Sequence, residues 1–154
     1  MFTSKKAIFL VILVSLLSLI IVHTKGECGE WVHFFGDENS TYYYDPSSIK
    51  PATKQMDKDS KSIQLRVKQV LTKKGVIAWS KNDKKYQDAD HVLSLDIIDK
   101  SGKSGYTFER IVYSKSGTVL ERYKATEENW VDVMPGSEMS VLFYKLKNAN
   151  IIKR

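Results

Sequence analysis

The sequence predicts an α+β fold: an antiparallel sheet of about six strands with a C-terminal helix packed across one face. Three observations point there. Ile63, Leu65 and Val67 alternate with Gln64, Arg66 and Lys68, the period-two signature of a strand with one buried side. Aromatic and β-branched runs recur between clusters of Gly, Asn, Asp and Ser, which cut the chain into short strands. Near the C-terminus Ser137 is a good N-cap and Glu138 suits the first turn of a helix.

In chain order, Trp31-Val-His-Phe-Phe35, the turn residues Gly36-Asp-Glu-Asn39 and Thr41-Tyr-Tyr-Tyr44 read as a hairpin closed by Asp45-Pro46-Ser47-Ser48. Residues 49–61 contain Pro51 and a charged stretch from Lys54 to Lys61, the composition of a solvated connection. The alternating strand follows and breaks at Gln69-Val70-Leu71, as at a strand end or bulge. Lys73-Lys74-Gly75 reads as a turn, and residues 76–86, with Trp79, Asp83 and Tyr86 at three- and four-residue intervals, as a short helix. Val92, Leu93, Leu95, Ile97 and Ile98 form the next strand. Residues 106–113 and 118–123 form two more, joined by Ser114-Lys-Ser-Gly117. A helix from Glu138 to about Lys147 would lay Val141 and Leu142 on the sheet.

The N-terminus sets the compartment. Lys5-Lys6 precede an uncharged apolar run that opens at Ala7 and closes at Val22, the pattern of an export signal. Its 16 residues span about 24 Å as a helix, short of the roughly 30 Å hydrocarbon core. Residues 1–26 therefore read as a signal peptide or an N-terminal membrane anchor, 27–30 as a neck, and 31–154 as one folded domain. Either way the domain is exported, to the periplasm or the cell surface, and the membrane is reached only through residues 7–22. Cys28 follows the apolar run as a lipidated cysteine would, but Glu27 stands where that pattern expects a small residue.

With 154 residues, 42% apolar and 27% charged, the balance is that of a folded globular protein. The 24 Lys and Arg outnumber the 18 Asp and Glu, but Lys5, Lys6 and Lys25 lie in the leader. The remaining excess is +3, too small and too dispersed to argue for nucleic acid. One cysteine and three histidines (His23, His33, His91) argue against a metal centre, and no cofactor is expected. Ser101-Gly-Lys-Ser104 resembles the tail of a P-loop, yet Ile97 occupies the earlier glycine position and a strand follows, so it reads as a hairpin loop. Asn39-Ser-Thr41 fits a glycosylation sequon of low specificity. His33 lies between Trp31 and Phe35 without a second ligand, and His91 beside Asp88 and Asp90 reads as solvated. There is no nucleophile elbow, reactive cysteine or buried carboxylate pair, so the chain reads as a non-enzyme.

The order of several segments resembles the surface-adhesin protein E-like family of Gram-negative bacteria. These are Trp31-Val with Phe35-Gly36, then Tyr43-Tyr44-Asp45-Pro46-Ser47-Ser48-Ile49, then the alternating strand. Tyr113-Ser-Lys-Ser-Gly-Thr-Val-Leu120 follows, and Trp130 and Pro135-Gly136-Ser137 precede a helix carrying Tyr144-Lys145. The resemblance runs from about Trp31 to Lys147 and implies a six-stranded antiparallel sheet with a C-terminal helix across one face. It also implies a surface protein whose founding member binds extracellular-matrix and serum proteins and has been linked to haem. The family's helix-to-sheet disulfide would fall at Asp99 and Asn148, so that tether is missing and the helix must be held by packing through Val141, Leu142 and Leu146.

The expected function is that of an exported, non-catalytic envelope module that binds a protein or extracellular-matrix component with the polar face of its sheet. Arg66 and Lys68 lead the candidate contacts, with Arg110 and Arg122 beside them. Alternatives are a carrier of a small ligand such as haem, held between sheet and helix near Trp31, His33 and the tyrosines, or a structural envelope component. Unpaired sheet edges could also join two copies as a homodimer.

Overall fold

Turn chemistry divides the chain into a curled antiparallel sheet of seven strands, seen in a computed structural model that describes residues 30–59 and 61–152. The leader and Cys28 lie outside the described residues. The strands are β1 (Val32–Gly36), β2 (Ser40–Pro51), β3 (Ser62–Leu71), β4 (Ala89–Asp99), β5 (Ser104–Ser114), β6 (Val119–Lys124) and β7 (Val131–Asp132). They form a meander in the order β1-β2-β3-β4-β5-β6, while β7 pairs with the first residues of β5. Two α-helices, α1 (Lys73–Asn82) and α2 (Glu138–Asn148), and a 3-10 turn (Lys84–Asp88) complete the described fold.

Local chemistry explains most boundaries. Asp37 closes the first hairpin, its carboxylate accepting from the amides of Asn39 and Ser40 at 2.8 and 2.7 Å. β2 does not stop at Pro46. It continues to Pro51 because β1 pairs only as far as Tyr44, so the prolines fall where that side of the strand has no partner. The irregularity between Asp45 and Lys50 absorbs Pro46, with Asp45 accepting from the Ser47 amide at 2.9 Å. β3 likewise runs unbroken through Gln69, Val70 and Leu71, where the sequence suggested an end or bulge. Gln69 has a structural use on the inner face: its side-chain amide donates to the hydroxyls of Ser40 and Tyr42 at 2.8 and 3.0 Å.

The expected turn at Lys73-Lys74-Gly75 is instead the first turn of α1. Thr72 caps it, accepting from the Gly75 amide at 3.1 Å, and is itself tied to the β1–β2 turn through its amide and the Asn39 carbonyl at 2.8 Å. The remainder of the expected helix breaks at Asp83, which caps the 3-10 turn by accepting from the Lys85 amide at 3.0 Å. Ser137 caps α2 as the sequence predicts.

Helix α2 fills one face of the sheet. Leu142, Phe143 and Leu146 join Phe34, Tyr44, Ile63, Leu65, Val67 and Ile98, with Ile152 of the C-terminal tail closing the cluster. Burying one such side chain is worth about 1.5–3 kcal/mol, so the helix is held by packing. Val141 is only partly buried. Two glycines admit the helix: a Cβ at Gly102, where φ is +73°, would lie 2.3 Å from the Phe143 ring, and one at Gly105 would lie 2.4 Å from the Met139 sulfur. At the far end of the same face, Val76, Trp79 and Tyr86 cover Leu71, Ala89, Val92 and Val112.

The connection after β2 is not simply solvated. Ala52 and Met56 fold against Ile97, Tyr106, Phe108, Ala125 and Trp130, and the Tyr106 hydroxyl donates to the Met56 carbonyl. These contacts cover one end of the face that α2 leaves open.

A buried acid lies on the helix-covered face. Asp96 is directly opposite Leu65 and Thr107 and accepts from the Thr107 hydroxyl at 2.9 Å. Burial pushes its pKa from 3.8 up to about 6, with the Glu138 charge on α2 adding to the rise. Proton binding by the folded state is therefore favoured, and Asp96 contributes stability that is present below pH 3.8 and lost as pH rises through about 6.

Two outcomes follow. Leu146→Ala should lower the unfolding free energy in urea by about 2–5 kcal/mol, since Leu146 is fully buried between α2 and the sheet. Asp96→Asn should remove the stability lost between pH 4 and 6 and make the variant about 3 kcal/mol more stable than wild type at pH 7, read from paired urea titrations across that range.

Candidate binding surface on the open sheet face

In an antiparallel sheet, residues directly opposite one another project to the same side, so the register assigns faces without ambiguity. One row crosses six strands: His33, Tyr43, Lys68, Leu93, Ile111 and Arg122. The next row is Asp45, Arg66, Leu95, Glu109 and Lys124. A third is Thr41, Val70, His91, Tyr113 and Val119. All lie on the side away from α2, whose contacts are with Tyr44, Leu65 and Val67 on the other side.

This face is amphipathic rather than uniformly wet. Its centre is a cleft of about 170 Å³ with a floor of Leu93, Leu95 and Ile111, walled by Trp31 and Tyr113 and flanked by Arg66 and Glu109. The apolar floor residues are half-buried and have no helix over them. Charge forms the rim. Arg122 approaches Glu109 at 3.7 Å, and the Lys124 ammonium lies 5.4 Å from the Phe108 ring centroid. At one end His91 stacks on Tyr113, with centroids 5.0 Å apart and planes 12° off parallel, while its Nδ1 is 2.9 Å from Asp90. At the other, His33 meets Tyr43 edge-on at 5.6 Å.

The four cations singled out from the sequence divide between the two faces. Arg66, Lys68 and Arg122 share the open face. Arg110 is opposite Ser94 and Tyr123 on the helix-covered side, where its guanidinium donates to Glu121 at 2.7 Å. Glu121 also receives the Lys85 ammonium at 2.6 Å and the Tyr86 hydroxyl, and these hydrogen bonds, Lys85 foremost, pull its pKa down to about 2. The cluster fastens the 3-10 turn to β6.

The residues expected around a planar ligand are divided between the two faces, with Tyr42 and Tyr44 on the helix-covered side. Trp31, His33 and Tyr43 lie on the face away from α2, and the space beneath the helix is filled by Phe34, Leu142 and Leu146. Among the described residues no group of three or more His, Cys, Asp or Glu is placed to hold a metal ion. Ser101-Gly-Lys-Ser104 forms the β4–β5 hairpin loop, as the following strand requires.

Sequence reasoning missed the floor. The signal was in β4, whose run Val92-Leu93-Ser94-Leu95 carries apolar residues at odd and even positions, as a strand does when both its sides meet apolar surroundings. Bulges between Leu95 and Asp96 and between Val112 and Tyr113 reset the alternation, which hid the division of the arginines.

No family model matches the chain. No curated protein matches it. Among solved structures, the chain is similar to Haemophilus influenzae protein E at 12% identity and a TM-score of 0.46, over 82% of this chain and 89% of that one. Crystal form II of the same protein gives 13% identity and a TM-score of 0.45, over 82% and 94% of the two chains.

Proposed function

We propose that this chain is an exported, non-catalytic binding module of a bacterial envelope that engages a protein or extracellular-matrix component through its open sheet face. The observation that carries the reading is the cleft of Trp31, Leu93, Leu95, Ile111 and Tyr113, an apolar floor left uncovered while the opposite face is closed by two helices. An uncovered apolar floor rimmed by charge is the usual construction of an interaction surface, with aromatic and arginine anchors at its centre. Arg66, Lys68 and Arg122 supply the cationic rim, and Glu109, which Arg122 approaches, restricts which partners fit. The leader, with Lys5-Lys6 before its apolar run, supports export. Among the described residues no helix is long and apolar enough to cross a membrane.

Solid-phase capture on immobilised extracellular-matrix proteins tests the reading. The double variant Arg66→Glu/Lys68→Glu should lose at least about ten-fold in apparent affinity, one decade or 1.4 kcal/mol. Lys73→Glu, on the exposed surface of α1, should leave capture unchanged. Equal capture by the double variant, or no capture by the wild type, would remove the open face from the account.

A further inference from the structure

A second groove lies at the end of the sheet where α2 terminates, and it shares no lining residue with the open-face cleft. The helix ends in a Schellman turn: Asn150 adopts φ +56°, its amide donates to the Lys147 carbonyl at 3.0 Å, and the Ile151 amide reaches the Leu146 carbonyl at 3.0 Å. That turn sends the tail back across the sheet. Ile152 enters the core, and Ile151 remains 40% exposed.

Ile151 and Ile152 form one side of a cavity of about 480 Å³, within the usual size of a small-molecule site. The other side comes from Pro46, Ile49, Pro51 and Ile63, where the end of β2 pairs with β3 and extends past the start of β1. The apolar lining is long and aliphatic. At its edge stand Lys50 and Lys100. A smaller adjoining cavity of about 270 Å³ shares Lys100 and Ile152 and adds Ser101 and Lys147. Lys50, Lys100 and Lys147 are exposed and make no ion pair among the described residues. The groove thus joins an aliphatic compartment, edged by Lys50 and Lys100, to a second compartment where Lys100 and Lys147 present ammonium groups.

We propose that this groove binds a long-chain fatty acid, with the acyl chain between Ile49, Ile63 and Ile151 and the carboxylate at Lys100 and Lys147. Charge complementarity selects the anion. A cationic amphiphile of equal length would meet three lysines, and a purely apolar ligand would gain nothing from them. The aliphatic lining, free of aromatic rings in the larger cavity, favours a flexible chain over a flat ring system.

The test is photo-crosslinking of the full chain in its native envelope with a diazirine-bearing palmitic acid, with adducts mapped by peptide mass spectrometry. Labelling should concentrate on peptides containing Ile49, Lys50, Ile151 or Ile152 and be competed by unlabelled oleate. Ile151→Asp and Lys100→Glu should each reduce it by about ten-fold or more, the loss of one decade in affinity. Lys100 is exposed and its replacement removes no core contact, so Lys100→Glu keeps the test valid even where Ile151→Asp disturbs the tail. The leader is common to every variant, so any difference belongs to the groove. No adduct in these peptides, undiminished labelling in both variants, or equal labelling by a diazirine alkyl-trimethylammonium of the same length would overturn the proposal.

Discussion

The fold depends on one contact, the docking of α2 against the inner face of β1 to β4. Leu142, Phe143 and Leu146 supply the apolar area, and Gly102 and Gly105 let the helix approach a hairpin that any side chain at those positions would hold away. With one cysteine in the chain, no disulfide can share this task. The direction of the helix also fixes its neighbours. Its N-terminal turn brings Glu138 towards the buried Asp96, its Lys145 ammonium reaches the His33 carbonyl on the edge strand, and its last turn returns Ile151 and Ile152 to the sheet. By closing one face, the helix leaves the other as the exposed surface.

The two faces have different chemistry for that reason. The covered face holds its charges in fixed pairs. Glu121 is satisfied by Lys85, Tyr86 and Arg110, while Asp96, without a cation, rests on a hydroxyl and carries a raised pKa. The open face keeps half-buried aliphatic residues among charges that remain at the surface. A surface of this kind costs stability through exposed apolar area, a cost that the proposed binding role accounts for.

Much of the architecture was legible in the sequence. Period-two alternation located β3, the turn residues Gly36 to Asn39 located the first hairpin, and Ser137 fixed the start of α2 to the residue. Readings failed where tertiary context outweighed local chemistry. Gln64 is polar yet buried, because the strand end is covered by the folded-back connection around Ala52 and Met56. Pro46 reads as a stop, but β2 had no partner there to lose. The open face was legible through Arg66 and Lys68, but its floor was not. Which side of the sheet Leu93, Ile111 or Arg110 faces is decided by register and by bulges, and those are set by pairing with distant strands.

The central claim, that α2 closes one face and leaves the other accessible, is most directly tested by hydroxyl-radical footprinting of the folded chain with residue-level mass spectrometry. The account predicts rapid oxidation at Trp31, Tyr43, Leu93 and Tyr113 and protection at Phe34, Tyr44, Leu142 and Phe143. Protection of the first group with reactivity in the second would contradict it.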